Sequence, residues 1–418
     1  MSLSLKKNFS FALIGNLFYA ASQYIILLVF VKLYSVEDVG IFVYAGAFTS
    51  PLLLALEMQL RNFFITDHDK KVLLNDYVAF RIITNIIGII TLAIAAFYVK
   101  PEFFMVILIV ALIKVFESQL DLIYGVYQKE NRLDYVAYSR IIRGILAIIV
   151  VTIVSFIFRD LIYSLLAYFF SWVILYFFYE RKQVVIRGYV SFDQLRLVVP
   201  KKEQMKILIV LCAPMFISIF IDKYYLNYPR VIVEKMLGVK MLGIFGSLLY
   251  FKSLGGQFIA SLAQSAIPKL SNYVKVKNIK PFNKLLFKMV LIGMSIGLVL
   301  SVLAYLGGKP LLTLLYKKEY ADYANVLSII LLGTTVTFSY IFIATALTCI
   351  RKQWVKLPIA IVSFSILFLW IYFCGIKNLM DIALIVLYVE TITFILYYLV
   401  YIFYVRKEVS NWKASSNL

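Results

Sequence analysis

The chain has 418 residues, of which 63% are hydrophobic and only 15% are charged, and its mean hydropathy is +0.90. Soluble domains are close to half apolar and a quarter charged, so this composition excludes a soluble protein. The net charge of +20 does not indicate a nucleic-acid partner, because an integral membrane protein concentrates Lys and Arg in its cytoplasmic loops.

Twelve apolar runs follow one another along the chain, each close to the roughly 20 residues that span a bilayer as an α-helix. Their apolar character extends around the whole helix, without the alternation of a barrel strand. The predicted spans are residues 9–31, 39–60, 78–99, 103–127, 138–158, 161–179, 205–226, 242–267, 286–306, 323–348, 357–375 and 381–405. The sequence therefore predicts an all-α polytopic membrane protein with about twelve transmembrane helices.

Basic residues in the connectors predict the orientation of these spans. The N-terminus and the loops after even-numbered spans carry more than twice as many Lys and Arg residues as the other loops. By the positive-inside rule, both termini are expected in the cytoplasm. The longest connector is basic, and we interpret residues 181–204 as a cytoplasmic linker between an N-terminal six-helix lobe, residues 1–180, and a C-terminal six-helix lobe, residues 205–418.

A short motif occurs twice, with a separation of nearly half the chain. Residues 32–42 read "KLYSVEDVGIF" between the first two spans, and residues 235–245 read "KMLGVKMLGIF" between the seventh and eighth. An even number of spans in each half predicts a parallel repeat, with a pseudo-two-fold axis along the membrane normal and a central cavity between two lobes. We expect close backbone packing at Gly40 and Gly243, which open equivalent helices.

Ionisable residues inside the predicted spans are candidates for function, because a charge in hydrocarbon is costly unless it lines a wet or paired site. Arginine and lysine can hold an anion such as phosphate, and buried carboxylates can bind Na⁺ or a proton. The candidate substrate-binding residues are Arg61, Arg81, Arg140, Arg143, Lys223 and Lys252, with Asn16 and Gln257 from polar stripes on the first and eighth spans. The candidate ion-coupling residues are Glu57, Glu117, Asp121, Asp222 and Glu390.

Each candidate also has a structural interpretation. Lys114 and Glu117 can pair within one helix, and Asp222 can neutralise a basic residue on a neighbouring helix. Arg140 and Arg143 lie near a cytoplasmic end, from which their side chains can reach the lipid headgroups. Polar stripes can also join helices by hydrogen bonds.

Four segments resemble the Wzx-type O-antigen flippases, which belong to the MOP (multidrug/oligosaccharidyl-lipid/polysaccharide) transporter superfamily. They are "KNFSFALIGNLFYAASQYIIL" near the N-terminus, "LRNFFITDHDK" with Arg81 after it, "PRVIVEKMLGVKMLGIF" and "LLTLLYKKEYADYA". The resemblance extends from Lys7 to the twelfth span, and related polysaccharide exporters share much of the pattern.

This resemblance implies a MATE/MOP-like transporter of the bacterial inner (cytoplasmic) membrane. Its substrate would be an undecaprenyl-pyrophosphate-linked O-antigen oligosaccharide for lipopolysaccharide biosynthesis, flipped from the cytoplasmic to the periplasmic leaflet by alternating access. The resemblance also implies H⁺ or Na⁺ antiport, no other cofactor, cations that engage the anionic substrate, and a lipid tail that stays in the membrane lipid. It leaves open whether an O-antigen polymerase and a chain-length regulator act beside the chain.

Two alternatives differ in mechanism. A multidrug or cation extruder would have the same architecture, but its cavity should be acidic rather than basic. A membrane glycosyltransferase or polymerase would need a sizeable external loop with catalytic groups, and the external connectors here are short. The sequence has one histidine, three cysteines without metal-binding spacing, and no nucleotide-binding loop or nucleophile elbow. We therefore expect neither an enzyme nor a metal site.

Overall fold

The fold, given by a computed structural model, is described for residues 5–67, 72–195 and 202–414. Within these ranges the chain is almost wholly helical. Residues 196–201 of the predicted linker lie outside the described residues.

Twelve long helices occupy the twelve predicted spans. They are α1 Leu5–Leu33, α2 Val36–Leu56, α3 Leu74–Val99, α4 Phe104–Lys129, α5 Leu133–Phe158, α6 Leu161–Ile186, α7 Lys202–Leu237, α8 Val239–Lys275, α9 Ile279–Leu315, α10 Ala324–Cys349, α11 Lys356–Cys374 and α12 Leu379–Ala414. Eleven of them, all except α8, are long and apolar enough to cross a membrane. The predicted all-α polytopic fold is thus confirmed, and α8 is the polar exception among the described helices.

The two copies of the repeated motif end one helix and begin the next in different ways. At the start of α2, the Ser35 hydroxyl accepts a hydrogen bond from the Asp38 N–H at 3.0 Å, and the Asp38 carboxylate accepts one from the Ser35 N–H at 3.3 Å. The matching residue of the second copy is Gly238, whose φ of +87° is the left-handed conformation that ends α7. A side-chain cap and a glycine turn therefore fill the same role.

The two copies also contact each other through their glycines. A Cβ atom on Gly40 would lie 2.1 Å from the carbonyl oxygen of Val239, and one on Gly243 would lie 2.1 Å from that of Val36. Because Val36 and Val239 match in the repeat, as the two glycines do, the contact is reciprocal. A local two-fold axis between the segments produces such a contact. The expected close packing at both glycines is present, whereas the superposition of the two halves stays a prediction.

By its contacts the chain divides into two compact units, Met1–Gly243 (unit 1) and Ile244–Leu418 (unit 2). Unit 1 contains α1 to α7 and the first residues of α8, with α7 packed along α2. Unit 2 contains the rest of α8 and α9 to α12, with α10 packed on both α9 and α12. The predicted division into residues 1–180 and 205–418 stays a prediction.

An ion pair also attaches α7 to the other helices of unit 1. Lys100, between α3 and α4, places its Nζ 2.7 Å from Oε1 of Glu234, whose side chain is 8% exposed. The hydrogen bond with Glu234 raises the pKa of Lys100 above its usual value, so the lysine is charged at neutral pH. Together with the α2–α7 packing, this pair holds the end of α7 in place.

Gly40→Ala and Gly243→Ala should each destabilise the protein by about 1–3 kcal/mol, because the added methyl group collides with a backbone carbonyl. Gly46→Ala, also on α2, is the matched control, since a Cβ atom there meets nothing within 4 Å. That control should gain about 0.5–1 kcal/mol from the better helix propensity of alanine. Thermal unfolding in detergent measures all three, and equal unfolding temperatures would contradict the reciprocal contact.

Candidate functional site

Most of the predicted site residues lie in one half of unit 1. This is the half in which α1, α3 and α5 begin and α2 and α4 end. The residues placed there, called the cluster below, are Asn16, Glu57, Arg61, Arg81, Glu117, Asp121, Arg140 and Arg143.

The backbone breaks directly after Glu57, where a continuous span to residue 60 was predicted. Met58 and Gln59 have φ values of 50° and 52°, in the left-handed region that costs a non-glycine residue about 1–2 kcal/mol. A short helix, Leu60–Thr66, follows and packs on α4. Strained backbone of this kind clusters at functional sites. Here the break brings Arg61 against α4.

One carboxylate, that of Asp121 on α4, lies between two arginines. Arg61 donates from Nη1 to Asp121 Oδ1 at 3.0 Å and from Nη2 to Gln128 Oε1 at 2.5 Å. Arg81 Nη2 lies 4.0 Å from Asp121 Oδ2. Arg81 is 0% exposed, and its guanidinium nitrogens have no hydrogen-bond partner among the described residues. Glu57 lies near enough to interact electrostatically with Arg81 and Asp121.

A third arginine of the cluster, Arg143 on α5, is enclosed by aromatic rings. Its guanidinium carbon lies 4.2 Å from the Tyr19 ring centre and 4.1 Å from that of Trp172, and the residue is 3% exposed. A cation between two desolvated ring faces gains about 2 kcal/mol or more. The Tyr19 hydroxyl donates to Glu117 Oε1 at 2.9 Å, so this carboxylate joins the cluster through the tyrosine.

Arg140, one helical turn before Arg143, belongs to a third set of contacts. Its Nη1 donates to the Asn16 side-chain oxygen, and its guanidinium lies 5.4 Å from the Tyr124 ring centre. The Tyr124 and Ser139 hydroxyls are 2.6 Å apart, and Ser139 donates to the Glu180 carboxylate. Asn16 and Arg140, two residues predicted separately for the site, are therefore in direct contact.

Two members of the cluster were missed in the sequence. Glu180 lies one residue beyond the predicted sixth span, residues 161–179, but α6 continues to Ile186 through a π-helical turn, Leu175–Glu180, and the residue is 2% exposed. It is the first charged residue after an uncharged run that begins at Leu161, and that signal was available. Trp172 had no such signal, because aromatic residues occur throughout the spans.

The remaining residues of unit 1, Asp222 and Lys223, pair with each other on α7. Their charged atoms are 3.0 Å apart, and their side chains are 51% and 34% exposed. In unit 2, Gln257 on α8 is exposed, and the structure does not bring it to the buried pair described next.

Lys252 on α8 and Glu390 on α12 form a buried ion pair in unit 2. The lysine ammonium donates to Glu390 Oε1, and the two side chains are 19% and 8% exposed. The other carboxylate oxygen, Oε2, has no hydrogen-bond partner among the described residues. It lies against Gly333 on α10, where a Cβ atom would approach it to 2.7 Å.

Every predicted cation in these two units thus meets a carboxylate, an amide or an aromatic ring. Arg61 is the partly exposed member of the Asp121 group, with 18% of its side chain accessible, and Arg140 is half-buried. Among the described residues, no group of three or more His, Cys, Asp or Glu side chains could hold a metal ion. The arrangement is suited to anion binding and proton exchange rather than to covalent catalysis.

Similarity to known proteins extends over nearly the whole chain. No family model matches it. It is 30% identical over 400 residues to the capsular polysaccharide biosynthesis protein CapF of Staphylococcus aureus, covering 94% of this chain and 98% of that protein.

Solved structures with a similar fold include the inward-facing conformation of a multidrug resistance MATE family transporter of the MOP superfamily. Its TM-score is 0.67 at 13% identity, over 100% of this chain and 97% of that one. A MOP superfamily transporter from Pyrococcus furiosus has a TM-score of 0.67 at 14% identity, over 98% and 96% of the two chains. The reverse polarity of its binding pocket suggests a different function for that protein. At these identities the likeness establishes the fold, and the predicted MATE/MOP-like architecture is confirmed.

Asp121→Asn should destabilise the protein by about 3 kcal/mol, because it removes the carboxylate that lies 4.0 Å from the buried Arg81 guanidinium. The double variant Arg81→Met/Asp121→Asn should recover most of this loss, since it removes the unpaired charge as well. Glu102→Gln is the control, because it breaks a pair whose acidic side chain is 53% exposed and should cost less than about 1 kcal/mol. Free energies of unfolding in mixed micelles test this. A double variant no more stable than Asp121→Asn would show that Arg81 does not depend on Asp121.

Proposed function

Since the chain belongs to the MOP superfamily of membrane transporters, in the family that includes CapF, we propose that it moves a lipid-linked oligosaccharide across the cytoplasmic membrane for polysaccharide biosynthesis. It is a multi-pass transporter, which confirms the prediction that the chain is not an enzyme. The finer proposal is a flippase for undecaprenyl-pyrophosphate-linked O-antigen repeat units. It works by alternating access, from the cytoplasmic to the periplasmic leaflet, with both termini in the cytoplasm.

The observation that carries this proposal is the end-to-end similarity to CapF. The name of that protein places it in capsular polysaccharide biosynthesis, and the alignment covers almost all of both chains. The resemblance of four segments to O-antigen flippases supports a lipid-linked oligosaccharide as the cargo. An O-antigen polymerase and a chain-length regulator are candidate partners that the resemblance leaves open.

The cluster in unit 1 supports a pyrophosphate as the charged part of the substrate. Arg61 and Arg140 are only partly buried, and an arginine can bind phosphate oxygens through two parallel N–H groups. Arg81 and Arg143 are buried, with 0% and 3% exposure. We therefore assign Arg61 and Arg140 to direct contact with the pyrophosphate, and Arg81 and Arg143 to positioning.

The carboxylates among these arginines support ion coupling. Glu57 and Glu117 lie within the same group of charges, so binding of H⁺ or Na⁺ there changes the electrostatic field that an anion meets. Such coupling connects substrate movement to an ion gradient. An extruder of cationic drugs on the same fold would need an excess of acidic groups, whereas here four arginines accompany four carboxylates.

Arg61→Gln and Arg140→Gln should each reduce surface polysaccharide at least tenfold in the native strain, because each removes a proposed phosphate contact. The amount of protein in the membrane should not change. Arg159→Gln, an exposed residue between α5 and α6, is the matched control and should retain normal polysaccharide. Immunoblots of surface polysaccharide and of membrane fractions measure both quantities.

Deletion of the protein should cause single repeat units on the lipid carrier to accumulate in the cytoplasmic leaflet. Mass spectrometry of extracted lipids detects these intermediates. Normal surface polysaccharide after neutralising all six predicted cations (Arg61, Arg81, Arg140, Arg143, Lys223 and Lys252) would refute the phosphate site. Altered drug resistance with normal polysaccharide would favour the extruder.

A further inference from the structure

The Lys252–Glu390 pair lies deep in the apolar part of unit 2. At 1.5 Å per residue, Lys252 is about 20 Å from the start of α8, and Glu390 is about 16 Å from the start of α12. Glu390 is therefore near the middle of the span Leu379–Val405, and Lys252 is held beside it. Charges at that depth are rare and are usually connected with function.

A small cavity with room for about one water molecule lies beside the pair. Phe245, Leu249 and Leu387 are among its apolar lining residues, whereas Lys252 and Glu390 are the lining residues that titrate. Glu390 is 6% exposed, and its unpartnered Oε2 is held against α10 at Gly333. One oxygen of the carboxylate thus binds the lysine, and the other has no hydrogen-bond donor among the described residues.

The two residues therefore depend on each other. Without Lys252, the Glu390 carboxylate would be an isolated charge among apolar side chains, and protonation relieves that cost. Without Glu390, the lysine ammonium would be free to bind another anion. Whatever binds Lys252 consequently changes the protonation of Glu390.

We propose that Glu390 is an internal counter-ion that occupies Lys252 in the empty transporter and is displaced by the phosphate group of an anionic substrate. This inference rests on the proposed function. When the phosphate binds the ammonium, an O–H bond forms at the released Glu390 carboxylate with a proton taken up from water. No covalent bond of the substrate breaks.

The Lys252–Glu390 pair determines whether anion binding and proton binding strengthen or weaken each other. Anion binding at Lys252 and proton binding at Glu390 favour each other, and the effect is reciprocal. The empty pair carries no net charge, so the empty transporter needs no bound ion at this place. A proton exchanged against the substrate has to be carried elsewhere, by carboxylates such as Glu57 and Glu117 in unit 1.

Calorimetric titration of the purified full-length protein tests the exchange. The probes are inorganic pyrophosphate, geranylgeranyl pyrophosphate and the uncharged geranylgeraniol, at pH 6 to 8 in buffers that differ in ionisation enthalpy. Wild type should take up as much as about one proton more per bound pyrophosphate group than Glu390→Gln does. The probe's own protonation is common to both proteins and cancels in this difference.

Glu390→Gln should bind the phosphate probes about tenfold more tightly than wild type, because no internal anion competes for the lysine. Lys252→Gln should bind them at least tenfold more weakly. The neutral pair Lys252→Gln/Glu390→Gln should fold and bind as weakly as Lys252→Gln, which separates loss of charge from loss of fold. Glu319→Gln, the same chemical change at an exposed position of unit 2, should match wild type.

Three results would decide against the exchange. Equal affinity and equal proton uptake in wild type and Glu390→Gln would overturn it and leave the proposed function intact. Equal binding of geranylgeraniol and its pyrophosphate would overturn it as well. No binding of either phosphate probe by wild type would overturn both the exchange and the proposed function.

Two further comparisons identify the source of the anion and control for misfolding. Tighter binding of geranylgeranyl pyrophosphate than of inorganic pyrophosphate supports a lipid-linked ligand, and equal binding supports exchange with a free anion.

Glu390→Asp keeps the charge but shortens the side chain away from the lysine. It should bind the probes more tightly than wild type while retaining proton uptake, and weaker binding would contradict the exchange.

Discussion

A buried charge in a membrane protein must meet an opposite charge, a hydrogen-bonding group or an aromatic face, because hydrocarbon supplies none of these. The irregular parts of this structure follow from that constraint. The left-handed turn after Glu57 interrupts α2 where Arg61 meets Asp121, and the π-helical turn of α6 buries Glu180 against Ser139. Elsewhere the helices are long and regular, since apolar side chains need no polar partner in hydrocarbon. The cost of each distortion is offset by the charge that it places.

The repeated motif shows which positions a helix connector requires. Ser35 and Gly238 occupy matching positions and differ in chemistry, because a side-chain cap and a left-handed glycine can each mark the boundary between two helices. The positions of Gly40 and Gly243 allow no such choice. Each faces a backbone carbonyl at a distance that excludes a side chain, and each provides the space for the partner segment. The identity between the two copies at glycine is therefore a consequence of their mutual contact.

Sequence reasoning predicted the fold well, because the signal for a membrane helix is apolar length and needs no knowledge of packing. It could not predict the break at Met58 and Gln59, since neither residue is a glycine or a proline. It identified the charged residues of the site but not the residues that they contact. Arg143 lies between two aromatic rings that resemble many others in the sequence, and the Lys252–Glu390 pair joins residues 138 positions apart. Such pairings depend on the order in which helices pack.

The two units hold their carboxylates in different ways, and this difference determines how each responds to an anion. In unit 1, Asp121 is shared by two arginines, one near each of its carboxylate oxygens. An anion that draws Arg61 away leaves Arg81 beside the carboxylate, so Asp121 retains a counter-charge. In unit 2, Lys252 is the one cation lining the cavity beside Glu390. Under the proposed exchange, the carboxylate loses this cation and takes up a proton instead. In the proposed exchange, the phosphate group therefore rearranges charges in unit 1 but changes the number of bound protons in unit 2.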